Sequence, residues 1–420
     1  MTSRRLAIPG MLGVALALAV GSPALAARAP AVPALADQAA SSSPAASSSP
    51  AAANGGLTVN DFQILGPLHQ NSHDVAPDNG QSVLYGGKSY WFFDDSELQN
   101  PSGFISSSAA VTGDLNASDG ITLHSANVFD ESDTGTPTEF VPYSAAETQF
   151  QYEHAASDCT GSTDPYCDMQ FAFWPGAAVA DPAHHRILVF YGKLCRGGPD
   201  NGPCASGFVG QPLGNGIVSI DMRTRAFSRL DIEHQDPSLT SPEGHDPTQL
   251  FPSDQDWGNG GDVLAGNELY AYGQCTSSVP TECGVARVPI GQVQDHAAWR
   301  FYAGQPDGSP VWSSDPADAV DVMYGGAAGE TVEFDPSTGL YMDTYMSYLS
   351  QQVDYQTAPD PWGPWSTPSV LYTAPSTSGV EYAAFAHPEY TTNHGLTRYY
   401  TYYTSSTGQQ MLVKVDFEKS

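Results

Sequence analysis

Hydrophobic positions along the chain recur as pairs of short apolar runs separated by turn residues. The first pair is SVLYGGKSYWFFDD, residues 82–95. In each pair an apolar run leads through Gly, Asn, Asp or Pro into an aromatic run, a pattern typical of a β-hairpin. Four similar pairs follow along the chain, and they start at Gly176, Gly260, Gly329 and Glu381. The pattern predicts an all-β chain.

Five units that repeat in kind predict a five-bladed β-propeller. The near-continuous apolar runs SYWFFDD and RILVFYG fit strands that are buried on both faces. We expect Leu57–Leu65 to pair with Met411–Phe417, which would close the ring without a free edge. Two packed β-sandwiches are the alternative, but they do not explain why the units resemble one another. Amphipathic helices are scarce, and the longest candidate spans Gln292–Arg300.

Residues 1–26 have the pattern of a secretory signal peptide. Arg4 and Arg5 form a basic start, Met11–Val20 is a short apolar run, and an A-x-A cleavage site ends the segment. The apolar run is too short to span a membrane, and no later run reaches the roughly 18 apolar residues that a span requires. We therefore expect a secreted, extracellular protein with no membrane contact after cleavage.

A low-complexity segment follows the signal peptide. Residues 27–55 consist almost entirely of Ala, Ser and Pro, a composition that cannot bury enough apolar area to fold. We interpret this segment as a disordered linker, and residues 56–420 as the propeller, which would be the catalytic domain.

The charge of the chain excludes some partners. It carries 15 Lys and Arg against 46 Asp and Glu, a formal net charge of -31. Nucleic acids and anionic membranes bind through clustered Lys and Arg, so neither is an expected partner. We expect a monomer.

Six cysteines fall into three close pairs. Secretion favours disulfides, and pairing each cysteine with its neighbour is the simplest of the 15 possible connectivities. A zinc site is the alternative, but no C-x₂-C or H-x₃-H spacing supports it. The expected pairs are Cys159–Cys167, Cys195–Cys204 and Cys275–Cys283.

The first hairpin places two carboxyl groups opposite each other. Gly86-Gly87 forms a two-residue turn of the kind that type I′ hairpins require. In a hairpin centred on this turn, paired residues have numbers that sum to 173, and Asp78 and Asp95 meet that condition. Their Cβ atoms would then be about 5 Å apart. Strand alternation predicts that Asp94 points to the opposite face.

Three explanations of this pair stay open. Glycoside hydrolysis uses two carboxyl groups, an acid with a raised pKa and an ionised partner, and we assign Asp78 and Asp95 as that catalytic pair. Calcium binding is the second explanation, because Ca²⁺ prefers carboxylate oxygens. In the third, the strands splay and both groups are solvated. No cofactor or catalytic metal is predicted, although a structural calcium ion is possible.

Other polar and aromatic residues lie next to the matching strands and would surround one mouth of a propeller funnel. Trp faces suit the C–H surfaces of sugars, and acids and His suit hydroxyl groups. Core packing is the more common role of a Trp. No G-x-S-x-G, H-E-x-x-H or P-loop motif is present. The candidate substrate-binding residues are Asp94, Trp174, Asp256, Trp257, Glu330 and His387.

The segment DNGQSV…SYWFFDDS resembles the D-x-G-x-S…W-x-F-G-D-T start of the domain-of-unknown-function 4185 family, which includes glycoside hydrolase family 183. The resemblance continues through FWPGAAV, DWGNGGDV and GETVEFDPSTGLYMDTY and covers most of residues 58–418. It differs at Asp94 and Ser96, where the family has Gly and Thr.

This resemblance implies a five-bladed propeller. It also implies an endo-D-arabinofuranase whose polysaccharide substrate is the D-arabinan of mycobacterial arabinogalactan and lipoarabinomannan. It also places the family's paired catalytic aspartates at Asp78 and Asp95. A non-catalytic propeller that binds a cell-wall glycan or a protein is the alternative function. The stereochemical outcome stays open, because a separation near 5 Å favours retention and 6.5–9.5 Å favours inversion.

Overall fold

The computed structural model describes residues 56–70, 75–99, 102–125, 129, 137–205, 209–258, 260–276, 278–326, 328–347 and 350–419. The predicted signal peptide and linker therefore lie outside the described residues.

Strands make up most of the secondary structure, and the predicted all-β character is confirmed. The strands of the first half are β1 (Leu57–Pro67), β2 (His69–Gln70), β3 (Val75–Pro77), β4 (Gln81–Tyr85), β5 (Lys88–Phe93), β6 (Ser96–Gln99), β7 (Ser102–Ile105), β8 (Ser108–Thr112), β9 (Thr122–Ser125), β10 (Gln170–Asp181), β11 (Arg186–Arg196), β12 (Gln211–Asp221) and β13 (Phe227–Arg229). Those of the second half are β14 (Phe251–Pro252), β15 (Asp262–Ala265), β16 (Glu268–Gly273), β17 (Glu282–Pro289), β18 (Arg300–Tyr302), β19 (Trp312–Ser313), β20 (Met323–Tyr324), β21 (Glu330–Asp335), β22 (Leu340–Met346), β23 (Gln352–Ala358), β24 (Ser369–Thr373), β25 (Glu381–Ala386), β26 (Thr397–Thr404) and β27 (Gln409–Lys419).

The strands form five larger sheets and one small one. Sheet 1 has the order β2-β9-β8-β5-β4, and sheet 2 has the order β10-β11-β12-β13 with β14 beside β12. Sheet 3 has the order β15-β16-β17-β18-β19 with β20 beside β17, and sheet 4 has the order β21-β22-β23-β24. Sheet 5 has the order β1-β27-β26-β25, and a small sheet has the order β3-β6-β7.

Successive sheets share hydrophobic cores in a cyclic order. One core joins sheets 1 and 2 through Phe92 and Val189, and the next joins sheets 2 and 3 through Phe190 and Leu269. Further cores join sheet 3 to sheet 4 and sheet 4 to sheet 5. The last core joins sheet 5 to sheet 1, where Leu412 packs in one cluster with Trp91 and Phe93.

Each of the five larger sheets contains one of the predicted hairpins, namely β4–β5, β10–β11, β15–β16, β21–β22 and β25–β26. The predicted pairing of the N-terminal strand is also confirmed, because Leu57–Pro67 pairs antiparallel with Gln409–Lys419. An N-terminal strand thus becomes the outer strand of the sheet that the C-terminal strands form, so β27 is not an edge, whereas β1 is one.

The α-helix α1 (Ala145–His154) was not predicted. Ser144 and Glu147 form a capping box at its start, a signal that the sequence carries in the spacing S-x-x-E. The expected helix at Gln292–Arg300 is wrong, because this segment forms only two short 3-10 turns, Ile290–Gln292 and His296–Ala298.

All six cysteines form disulfides, and the three local pairs are confirmed: Cys159–Cys167, Cys195–Cys204 and Cys275–Cys283. Among the described residues, no helix is long and apolar enough to cross a membrane.

Candidate active site

The predicted register of the first hairpin is confirmed. Gln81 pairs with Phe92 and Tyr85 with Lys88, and beyond Asp78 and Asp95 the same register continues where Pro77 pairs with Ser96. Both glycines of the turn have positive φ angles, as a type I′ turn requires.

The ladder is interrupted where the carboxyl groups lie. Asn79 and Gly80 have φ angles of 60° and 137°, so the strand leaves the extended conformation between β3 and β4. The Asp78 N–H donates to the Asp95 carbonyl at 2.9 Å, while the Asp94 N–H donates to the Asp78 carbonyl at 3.1 Å. Asp78, Asp94 and Asp95 form what we name the first carboxylate cluster, at the junction of sheet 1 and the small sheet.

Asp78 is enclosed in a way that favours its neutral form. Burial and the neighbouring Asp95 charge raise the pKa of Asp78 to about 7, although Tyr382 and Arg196 oppose the shift. The Tyr382 hydroxyl donates to Oδ2 at 2.7 Å, and the buried Oδ1 has no hydrogen-bond partner. A proton on Asp78 therefore belongs on Oδ1, the oxygen that accepts nothing.

Groups from sheet 2 bind the side chain of Asp95. The Arg196 guanidinium binds both oxygens, from Nη1 to Oδ2 at 2.8 Å and from Nη2 to Oδ1 at 2.7 Å. Trp174 Nε1 also donates to Oδ1, at 3.0 Å. A carboxylate has about four lone-pair positions, and these three donors leave one free, on Oδ2.

Asp94 lies closer to the pair than strand alternation predicted. Its Oδ2 accepts from Asn79 Nδ2 at 2.6 Å, and its Oδ1 is buried without a partner. Burial and then the Asp78 charge raise the pKa of Asp94 well above its usual range. The alternation rule assumes regular pairing, which the positive φ angles of Asn79 and Gly80 interrupt.

An open cavity of about 310 Å³ begins at Arg196. Phe104 and Tyr143 line it, and Glu139 lies on its wall, where both of its oxygens accept from Ser106. The Arg196 guanidinium lies 5.0 Å from the centre of the Phe104 ring, which is 49% exposed. The volume is at the lower end of the ~300–1,000 Å³ typical of ligand pockets.

A second group of acidic side chains lies in sheets 3 and 4. We name Asp256, Asp262, Glu330 and Asp343 the second carboxylate cluster. Glu330 is fully buried, and burial raises its pKa to about 7. Burial and the Glu330 charge raise the pKa values of Asp262 and Asp343 well above their usual range. Two predicted substrate-binding residues, Asp256 and Glu330, thus belong to this cluster.

Two predicted substrate-binding residues are structural. Trp257 is 0% exposed and packs against Phe301 at 5.3 Å between the ring centres, so its ring cannot contact a glycan. His387 is 1% exposed, is stacked on Trp91, and has hydrogen bonds to Ser82 and Thr401. Burial lowers the pKa of His387 to about 3, so the ring is neutral. That these two residues bind substrate stays a prediction, although both side chains are enclosed in the core.

Sequence reasoning missed Arg196 and Tyr382, which contact the first carboxylate cluster. Neither belongs to a motif, and each reaches the cluster from a different sheet. Arg196 directly follows Cys195 and is one of only 15 Lys and Arg residues in the chain. A cation next to a cysteine in so acidic a chain was the available signal.

Several solved structures are similar to this chain, all at low identity. A protein of Bacteroides ovatus described as a candidate hydrolase has a TM-score of 0.49 and 14% identity, covering 84% of this chain and 87% of that chain. A family 117 glycoside hydrolase of Zobellia galactanivorans has a TM-score of 0.44 and 12% identity, with coverages of 86% and 91%. A GH43_1 enzyme of Xanthomonas citri, complexed with xylotriose, has a TM-score of 0.42 and 13% identity, with coverages of 85% and 89%. At TM-scores below 0.5, no activity follows from these likenesses.

No curated protein matches the chain. A protein-family model does match, over residues 234–413, and it is described as a domain of unknown function (DUF4185). The matched range includes Glu330 and Tyr382 but neither Asp78 nor Asp95. The predicted resemblance to the DUF4185 family is therefore confirmed over residues 234–413.

Proposed function

We propose that this chain is a glycoside hydrolase in which Asp78 is the general acid and Asp95 the ionised partner. The observation that carries the proposal is the difference between two adjacent carboxyl groups. Asp78 is buried beside a negative charge and favours its protonated form, whereas Asp95 is bound by Arg196 on both oxygens. Glycoside hydrolysis needs this pairing of a neutral acid with an ionised carboxylate.

Asp78 would protonate the leaving-group oxygen. Tyr382 donates to Oδ2, so Oδ1 is the oxygen that would carry the proton. Burial raises the pKa of Tyr382, which keeps its hydroxyl protonated and fixes the orientation of Asp78.

Asp95 would act through the free lone pair of Oδ2, either on a water molecule or on the anomeric carbon. Arg196 and Trp174 hold the carboxylate in one orientation, and this preorganisation is a large part of what an active site contributes. An exposed aromatic ring, Phe104, lies beside Arg196 in the adjoining cavity and could stack on a sugar ring.

The number of blades and the substrate are also proposed, on the basis of the sheet packing and the family resemblance. The cyclic packing of five sheets supports a five-bladed propeller. The family resemblance supports endo-acting hydrolysis of D-arabinan by a secreted enzyme. The Glu139 carboxylate on the cavity wall favours a neutral glycan over an anionic one.

The test is release of reducing ends from D-arabinan-bearing arabinogalactan, plant L-arabinan, xylan and levan by the purified protein. Asp78→Asn and Asp95→Asn are assayed beside Asp416→Asn, a partly exposed aspartate that pairs with Lys414. We expect release from D-arabinan, loss in both active-site variants and full activity in the control. No release from any polymer by a folded protein would favour a glycan-binding propeller instead.

A further inference from the structure

Sheets 3 and 4 carry aromatic side chains that reach the surface. Trp362 is partly exposed, and its ring centre lies 6.0 Å from that of Trp312 and 5.8 Å from that of Tyr270. Phe334 is 48% exposed, and its ring centre lies 5.2 Å from that of Tyr341, which packs against the same hydrophobic core as Trp362. We name the four rings that reach the surface the aromatic strip: Trp312, Phe334, Tyr341 and Trp362.

The aromatic strip is separate from the proposed site of hydrolysis. Its members lie in β19, β21 and β22 and in the segment between β23 and β24, whereas Asp78 and Asp95 lie beside sheet 1. None of its members lines the cavity that begins at Arg196. The proposed hydrolysis therefore gives these rings no role, and a patch of exposed apolar rings on a protein surface commonly marks an interaction site.

Contacts with neighbouring elements hold the aromatic strip in place. The Arg287 guanidinium lies 4.3 Å from the centre of the Trp312 ring. The Tyr272 hydroxyl donates to the Pro361 carbonyl at 2.7 Å, which fastens the segment that carries Trp362 to sheet 3. Rings that are already ordered lose little conformational entropy when a ligand binds, so the strip is a preorganised surface.

The groups around the strip favour a neutral ligand that is rich in hydroxyl groups. Burial raises the pKa of Tyr270, and a hydrogen bond from Arg287 opposes the shift. The charges of Glu268 and Asp360 add to it, so groups of both signs lie beside this hydroxyl. Charged groups of either sign bind sugar hydroxyls, and the flat faces of Trp and Tyr suit the C–H surfaces of sugar rings.

The net charge decides between a glycan and a second copy of this chain as the ligand. Each chain carries a formal net charge of -31, and a charge of this size keeps copies of a protein apart. A neutral glycan is not repelled. The proposed function also supplies such a ligand, because its substrate is a polysaccharide.

We propose that the aromatic strip binds a neutral polysaccharide chain at a second site, away from the site of hydrolysis. Trp312 and Trp362 stack on sugar rings, while Arg287 and Asp360 form hydrogen bonds with sugar hydroxyl groups. The choice of ligand rests on the proposed function, but binding at the strip does not require hydrolysis. A polymer held at the strip stays close to the protein, which raises the effective concentration of the bonds to be cut.

The experiment measures polymer binding by affinity electrophoresis with the full-length Asp78→Asn variant, which should not cut its ligand. The polymers are D-arabinan-bearing arabinogalactan, plant L-arabinan, xylan and levan. Adding Trp362→Ala should weaken binding to the best-bound polymer by about tenfold, the usual loss for one well-packed aromatic contact. Adding Tyr152→Ala instead is the matched control, because Tyr152 is a 77% exposed ring on α1, outside the strip. This control should leave binding unchanged.

Hydrolysis gives a second readout in the protein with Asp78 intact. Trp362→Ala should raise KM for the polymer by about tenfold and leave kcat/KM for a short oligosaccharide unchanged, because a short ligand cannot reach both sites. If Trp362→Ala fails to fold, Phe334→Ala takes its place, since Phe334 is the most exposed ring of the strip.

Two results overturn the proposal: binding of none of the polymers, or equal binding by the variants that carry Trp362→Ala and Tyr152→Ala. Binding that depends on the strip, without hydrolysis of any polymer by the unmodified protein, would contradict the proposed function and support this inference. Hydrolysis that is lost in Asp78→Asn, with binding that does not depend on the strip, would support the proposed function and overturn this inference. The two proposals therefore fail separately.

Discussion

The chain contains two clusters of buried carboxyl groups that differ in what surrounds them. In the first, Arg196 binds Asp95 on both oxygens, while Asp78 is bound by no cation and burial raises its pKa to about 7. In the second, no Lys or Arg among the described residues pairs with Asp262 or Glu330. A cation on one member of a pair makes the pair chemically asymmetric, which suits acid–base catalysis. In the second cluster burial is the largest cause of the raised pKa of every member, so no member is set apart as an ionised partner.

Asp78→Asn and Asp95→Asn should have the largest effect on activity. Losing a general acid or its ionised partner lowers kcat by about 10²–10⁴-fold. Glu330→Gln, assayed in parallel, should lower kcat much less, because Glu330 is no hydrogen-bond partner of Asp78 or Asp95. An equal loss of kcat in the Glu330 variant and in the two aspartate variants would contradict the functional distinction between the two clusters.

Replacing Arg196 should separate two effects of this residue on Asp95, namely the orientation of the carboxyl group by hydrogen bonds and the positive charge beside it. Arg196→Met removes both and should lower kcat by about 10²-fold, whereas Arg196→Lys keeps the charge and should lose about tenfold, because Lys cannot bind bidentately. Arg196 also lowers the pKa of Asp78, so only the Met variant should shift the alkaline limb of the pH–rate profile to higher pH. Identical profiles in both variants would show that Arg196 acts only through structure.

Trp174→Phe should have a smaller effect. It removes one hydrogen bond to Asp95 while it keeps an aromatic ring, and kcat should fall about tenfold, the lower end for a hydrogen bond to a charged group. Trp257→Phe is the matched variant in the core, and it should lower Tm without a specific effect on kcat. The reverse pattern would contradict the assignment of Trp174 to the site.

The stability of Asp78→Asn should depend on pH. Burial and the Asp95 charge raise the pKa of Asp78 in the folded state to about 7 from 3.8, so folding favours the protonated form, and this contribution is lost as pH rises through about 7. Asn does not titrate, so the variant should gain Tm relative to the unmodified protein between about pH 4 and pH 7, and the difference should level off above pH 7. Asp94, Asp95, Arg196 and Tyr382 surround Asp78 and are unchanged in this comparison. A constant difference in Tm would show that Asp78 titrates normally.

The sequence was sufficient for local features of the site. A turn of two glycines determined the register of the first hairpin, and the register placed Asp78 opposite Asp95. The cysteine pairs were also predictable, because each joins positions eight or nine residues apart. The capping box of α1 is also a local signal, because the sequence has the spacing S-x-x-E at Ser144 and Glu147.

The groups that make the site asymmetric could not be predicted. Arg196 and Tyr382 lie 101 and 304 residues from their partners in the chain, and only the packing of different sheets brings them together. Trp174 and Trp257 precede similar glycine-containing runs, yet one contacts Asp95 and the other is core. Burial depends on the neighbouring sheet, which a single-strand pattern does not contain.

The most direct test of the account is the titration of the Asp78 carboxyl group, followed by ¹³C NMR in protein labelled at the aspartate side-chain carboxyl carbons. Spectra of the unmodified protein and of Asp78→Asn are compared from pH 4 to pH 9. The account predicts one resonance that titrates near pH 7 in the unmodified protein and is missing in the variant. If the resonance lost in the variant titrates near pH 4, Asp78 is ionised at neutral pH and cannot be the general acid.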